Sequence, residues 1–188
     1  MSQSELRIAV SNTGPLVSAL QCGRLDMLRQ IYDVIHIPAS VLTELVTHGA
    51  ELEMAELARV GFVVVHNNLT EEEHAIAQAI AETIADTSKS HSKNPAHHLS
   101  EAEAIALMSR KELAAIELLL DETAAREVAD QRGVPMVGFP GVLIRACRQG
   151  VISPEAVHEA LLDCRRQGTH YGAAFIERIY VRLREEAK

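Results

Sequence analysis

A chain of 188 residues is long enough to bury the core of one domain, and its formal net charge of −8 excludes holding nucleic acid by a broad basic face, since that mode neutralises many phosphates. Aromatic residues make up 3% with no Trp, which argues against an extended base-stacking platform of the single-strand-binding kind. Residues 1–123 carry 18 acidic against 8 basic side chains and residues 124–188 carry 8 against 10, so the acidity lies in the first two-thirds.

In chain order, apolar and β-branched runs bounded by turn residues predict strands at 6–10 (LRIAV), 34–37 (VIHI), 62–65 (FVVV), 116–120 (IELLL) and 135–139 (PMVGF), with helical patterns between them. This alternation predicts an α/β fold of three layers, α/β/α, with a mainly parallel central sheet of about five strands. Pro15 suits a first helical turn, Pro38 precedes the helix of ASVLTELV, and Thr70-x-x-Glu73 and Ser100-x-x-Glu103 each read as a capping box. Gly138 and Gly141 are expected to let the last strand turn into a helix.

The main domain is expected over 1–152, with 86–99 (DTSKSHSKNPAHHL) as an exposed loop, polar and helix-poor. Residues 153–188 read as a C-terminal helical extension, started by Ser153-Pro154 and jointed near Gly168 and Gly172. Its stripe of Phe175, Ile176, Ile179 and Leu183 suits packing on the domain or a dimer or partner surface, and a homodimer is the expected assembly. Cys22, Cys147 and Cys164 are scattered, with no C-x-x-C pair, and fit small buried thiols in a reducing cytoplasm. No apolar run approaches a membrane span, and the N-terminus lacks a secretory pattern, so a soluble cytoplasmic protein is expected. His91, His97 and His98 lack the spacing of a zinc site.

Ligands in parallel α/β sheets collect beyond the carboxyl ends of strands. Asn12 follows the first strand, Glu44 lies in the helix after the second, Asp121 and Glu122 follow the fourth, and Glu103 lies in the helix leading to it. Three carboxylates drawn from distant segments are the hard oxygen donors that Mg²⁺ or Mn²⁺ requires. Each also has a plainer role: Glu44 as a solvated neighbour of Val41 and Leu45, Glu103 in the capping box, Asp121 as a helix N-cap, Glu122 as a first-turn partner of the helix dipole. Glu101 and Glu103 lie about 200° apart around a helix, so only one can face a given site. Arg126 would start the second turn after Asp121, facing the acids, a substrate phosphate, or Glu122 and Asp130 on its own helix.

The ordered words VSNTGPLVSALQCGRLDML, VIHIPASVLTEL, LSEAEAIAL, LLLDETAAREVA and GVPMVGFPGVLIRACRQGVIS resemble the PIN-domain family, metal-dependent endoribonucleases that include the VapC toxins of toxin–antitoxin pairs, and more narrowly a stand-alone prokaryotic PIN-like subfamily. The resemblance covers nearly the whole chain outside 86–99. It implies a site of Asn12, Glu44, Glu103 and Asp121 holding Mg²⁺ or Mn²⁺, with Glu44, Glu103 and Asp121 as the catalytic set and Glu122 and Arg126 as accessories. The 18-residue separation of Glu103 and Asp121 resembles the family spacing and favours Glu103 over Glu101. The implied reaction is hydrolysis of RNA phosphodiesters, with an antitoxin protein as partner. Two departures stand out: the first acid is Asn12, and the small hydroxyl residue that often follows it by two is Gly14. An amide oxygen can ligate a hard cation but removes one negative charge, so the alternative reading is a catalytically weakened PIN-fold protein that acts by binding a protein or RNA.

Overall fold

The computed structural model describes residues 6–187. Five strands, β1 (Ile8–Ser11), β2 (Val34–Pro38), β3 (Val63–His66), β4 (Glu117–Leu119) and β5 (Met136–Val137), form one sheet in the order β3-β2-β1-β4-β5. Every pairing is parallel, with Val10 opposite both His36 and Leu118. The expected alternation and strand positions hold to within two residues, and the sheet is wholly parallel.

Among the described residues ten α-helices cover the two faces: α1 (Thr13–Gln21), α2 (Leu25–Ile31), α3 (Ala39–Thr47), α4 (Glu51–Arg59), α5 (Glu71–Asp86), α6 (Leu99–Leu107), α7 (Thr123–Gln131), α8 (Phe139–Arg148), α9 (Pro154–Arg166) and α10 (Ala173–Glu186). Strand residues alternate between the layers, as the two-residue period of a pleated strand requires. Ala9, Ile35, Ile37 and Leu119 join one core with Leu16, Leu28, Leu45 and Leu143. Val10, Leu118 and Leu120 join the other with Ile80, Ile84, Ile105 and Val128. The C-terminal helices belong to the first core, since Val157, Leu161, Cys164, Ile176, Ile179 and Leu183 are all buried there. Their apolar stripe is therefore consumed by the domain itself, apart from Phe175, which stays 37% exposed. No helix among the described residues is long and apolar enough to cross a membrane, and all three cysteines are free.

Of the two expected capping boxes, one forms. Thr70 accepts from the Glu73 amide at 3.2 Å while Glu73 accepts from the Thr70 amide at 2.7 Å. At the other, α6 starts two residues earlier, with His98 as its N-cap; Ser100 donates to Glu101 instead, and Glu103 turns away to Ser40. The stretch 86–99 is largely exposed but is pinned by the wholly buried His98, whose Nε2 lies 2.9 Å from both Ser90 Oγ and the Ser92 carbonyl. Lys93 closes the end of α5 by donating to the Ala85 and Thr87 carbonyls.

A polar chain crosses the β3 edge of the sheet. Arg110 donates to His66 Nδ1 at 2.9 Å, and His66 Nε2 lies 2.8 Å from His36 Nδ1. Because guanidinium can only donate, His66 must carry its proton on Nε2 and pass it as a donor to His36, so both rings are neutral. Burial depresses both histidines, with the neighbouring His66 adding to the effect on His36 and Arg110 to that on His66. Groups depressed in the folded state bind fewer protons there than when unfolded, so stability is lost as pH falls below the ordinary histidine value of 6.5. His66→Gln, whose charge is fixed, should flatten the melting temperature between pH 7.5 and 5.5 relative to the parent; equal slopes in a thermal-shift series would remove this pair as the source.

Candidate active site

The strand order reverses direction between β1 and β4, the topological switch point where parallel α/β sheets open a crevice at their carboxyl edge. Asn12 and Asp121 leave the two strands that flank this point, and the Asn12 amide is tied across it to the Leu119 carbonyl at 3.1 Å. Asn12 is 2% exposed and occupies the N-cap position of α1 without capping it through its side chain. Its Oδ1 is buried with no hydrogen-bond partner.

Asp121 was expected either as a ligand or as the N-cap of the following helix. The cap is Glu122, which accepts from the Ala125 amide at 2.6 Å and leaves Asp121 free of that duty. One Asp121 oxygen, Oδ1, accepts from the Phe139 amide at 2.9 Å; the other, Oδ2, is buried and unpartnered. Burial raises this carboxyl from its usual 3.8 to about 6, against the opposing pull of the Phe139 amide and of Arg126. Arg126 donates to the Leu120 carbonyl at 2.7 Å and lines a cleft with Asp121, so it faces the acid rather than serving as an exposed partner of its own helix.

Two glycines border the site, and Gly138 is the one that allows a close approach to Asp121. A Cβ on Gly14 would lie 3.8 Å from Asp121 Oδ2 and 3.9 Å from Asn12 Oδ1, so the two orphaned oxygens flank the same small volume. A Cβ on Gly138 would come within 2.7 Å of Asp121 Oδ1. Sequence reasoning assigned Gly138 to a turn; its closeness to the acid depends on a register that only the folded sheet supplies.

Glu44 stands exposed at the rim, where Thr13, the residue after Asn12, donates to its carboxylate. The two acids of α6 diverge as their spacing requires. Glu103 is buried and accepts from Ser40, one turn before Glu44 on α3. Glu101 is raised by burial and then by the charges of Glu44 and Glu122, which puts it in the electrostatic field of the rim acids. The fold thus brings Asn12 and Asp121 together directly, ties Glu44 to them through Thr13, and holds Glu103 against Ser40.

Tyr171 was not among the expected residues. It arrives from the joint between α9 and α10, and its hydroxyl is buried with no hydrogen-bond partner among the described residues. Burial, and then the charge of Asp121, push its phenol up. No local pattern marks it, because residue 171 meets residue 121 only through packing of the last two helices.

A family model of the PIN domain matches residues 8–185. The chain belongs to the PIN-domain family. The match runs from β1 into the last turn of α10. Neither a curated protein nor a solved structure matches the chain. PIN domains are generally nucleases, which points to interaction with nucleic acid.

Among the described residues no group of three His, Cys, Asp or Glu side chains forms a ready metal cage. The donors present nevertheless suit a hard divalent cation. Asn12 Oδ1 and Asp121 Oδ2 are buried oxygens without partners, a state that costs roughly 1–3 kcal/mol per group. A cation of the Mg²⁺ type is commonly held by one or two carboxylates and keeps several waters.

Gly138→Ala tests the close approach. The added methyl cannot enter without moving Asp121 or the start of α8, and overpacking of this kind costs about 1–3 kcal/mol. Urea unfolding should register that loss; an unchanged midpoint and slope would mean the approach is not tight.

Proposed function

We propose that this PIN domain is a metal-dependent endoribonuclease whose centre is the pair of unpartnered oxygens Asn12 Oδ1 and Asp121 Oδ2, using Mg²⁺ or Mn²⁺. The observation that carries the reading is this pair at the switch point of the sheet. Glu44 completes the rim. Glu103, spaced as the family resemblance prefers, is the further oxygen donor from α6, and Ser40 ties it to α3.

A bound cation would supply the positive charge that makes a phosphodiester phosphorus open to attack by water. The chain's own part is positioning. The Phe139 amide fixes the Asp121 carboxylate through Oδ1 and leaves Oδ2 directed into the site. Thr13 holds the Glu44 carboxylate to the start of α1. Arg126 lies beside Asp121 and offers its guanidinium to a non-bridging phosphate oxygen. Glu122, occupied as a helix cap, shapes the local charge without needing to touch substrate.

The resemblance to VapC proteins extends the proposal to a toxin that an antitoxin protein restrains. Asn12 supports a second reading, a PIN domain that binds RNA or protein with little catalysis, because an amide in place of a carboxylate removes one charge from the metal site.

Single-stranded and structured RNA incubated with Mg²⁺ or Mn²⁺ should be cut, and Asp121→Asn should lower the rate by about a hundredfold or more. Glu44→Gln and Glu103→Gln should also lower it. Asp121→Asn should melt no lower than the parent at pH 7, since it removes a desolvated charge. Asn12→Asp should tighten Mn²⁺ binding in a titration. No cleavage by the parent favours the binding reading, and cleavage unchanged in both Asp121→Asn and Glu44→Gln places the chemistry elsewhere.

A further inference from the structure

Beside Asp121 opens a cleft of about 700 Å³, within the size range of small-molecule sites. It is lined by Asp121, Arg126 and Gly138 and by His170, Tyr171 and Phe175 from the α9–α10 joint and the start of α10. Six Phe and Tyr residues serve the whole chain. Tyr32, Phe62 and Phe139 are buried in the core, and Tyr180 stacks on His158, so Tyr171 and Phe175 are the two aromatic rings that line this cleft. Their centroids lie 6.1 Å apart with planes inclined at 40°, an angled pair rather than a closed stack. Among the described residues Phe175 is the one aromatic side chain exposed as a large apolar surface, although its helix buries Ile176, Ile179 and Leu183 beside it.

An aromatic face held open next to a guanidinium and an acid suits one ligand chemistry, a nucleotide within a single strand. The base stacks on an aromatic ring, and the adjoining phosphate meets Arg126. A duplex keeps its base faces stacked on one another and cannot offer one to Phe175. The low aromatic content excludes a platform for many bases, but it leaves this single place.

Resting on the nuclease reading of the same site, we propose that Phe175, backed by Tyr171, forms a nucleobase subsite that stacks the base next to the scissile phosphate. The subsite acts by binding, so it is tested without catalysis. Fluorescence anisotropy in EDTA would compare a short labelled single-stranded RNA, an abasic strand of the same length, and the duplex, each with the parent, Phe175→Ala and Phe175→Tyr. The parent should bind the intact strand roughly tenfold tighter than the abasic strand or the duplex. Phe175→Ala should lose that preference, and Phe175→Tyr should keep it. Equal binding of intact and abasic strands, a preference that survives Phe175→Ala, or no binding at all overturns the subsite. Base-dependent binding without cleavage in the presence of metal would overturn the nuclease reading alone. Cleavage that needs Asp121 but has no Phe175-dependent preference would overturn the subsite alone.

Discussion

The architecture at the carboxyl edge of the sheet depends on how one carboxylate, Asp121, is kept from water. Its strand holds two largely buried acids, and the fold treats them in opposite ways. At the entrance of β4, burial alone would raise the Glu117 carboxyl, but Arg145 grips both its oxygens and Tyr32 donates at 2.7 Å, so it ends below the usual range. At the exit, Asp121 receives one amide hydrogen bond and is left high. The satisfied acid fastens α2 and α8 to the sheet; the unsatisfied one stores an unmet demand for positive charge. A fold can carry such a deficit only if packing elsewhere offsets it, and the two cores on either side of the sheet supply that packing.

The amide at position 12 changes the character of that deficit. Two carboxylates flanking the volume left by Gly14 would repel one another, and one would be driven toward its protonated form. Asn12 keeps the oxygen and removes the repulsion, so the metal-free site is less strained. The same substitution weakens the pull on a cation, because each lost charge lowers the affinity of a hard-oxygen site. Stability without metal and affinity for metal therefore trade against each other at this one side chain, and the choice between nuclease and binding protein turns on the balance.

The strands were legible because β-branched runs between turn residues leave little else for those segments to be, and Asp121 and Asn12 followed from their places after strands. The strand order was not legible, and with it went the knowledge that β1 and β4 are neighbours. Local patterns misled where two partners competed for one side chain. Ser100 and Glu103 satisfy the capping-box pattern, yet Ser40 reaches Glu103 from another helix and the box does not form. Asp121 fits an N-cap by type, but Glu122 takes the role one residue later. Tyr171 left no local trace at all.

That last omission bears on what the C-terminal segment is. Residues 153–188 were expected as a helical extension packed on the domain or on a partner. In the fold, α9 and α10 place seven apolar side chains into the same core as β1 and β2, while their joint, where Gly168 adopts φ of 102°, returns Tyr171 to Asp121. Core and cleft wall are thus built from one segment, and the cleft beside Asp121 exists only when the last helices are docked. The site is assembled from the beginning of the chain through Asn12, its middle through Asp121 and its end through Tyr171, so its geometry depends on the closure of the whole fold rather than on any local motif.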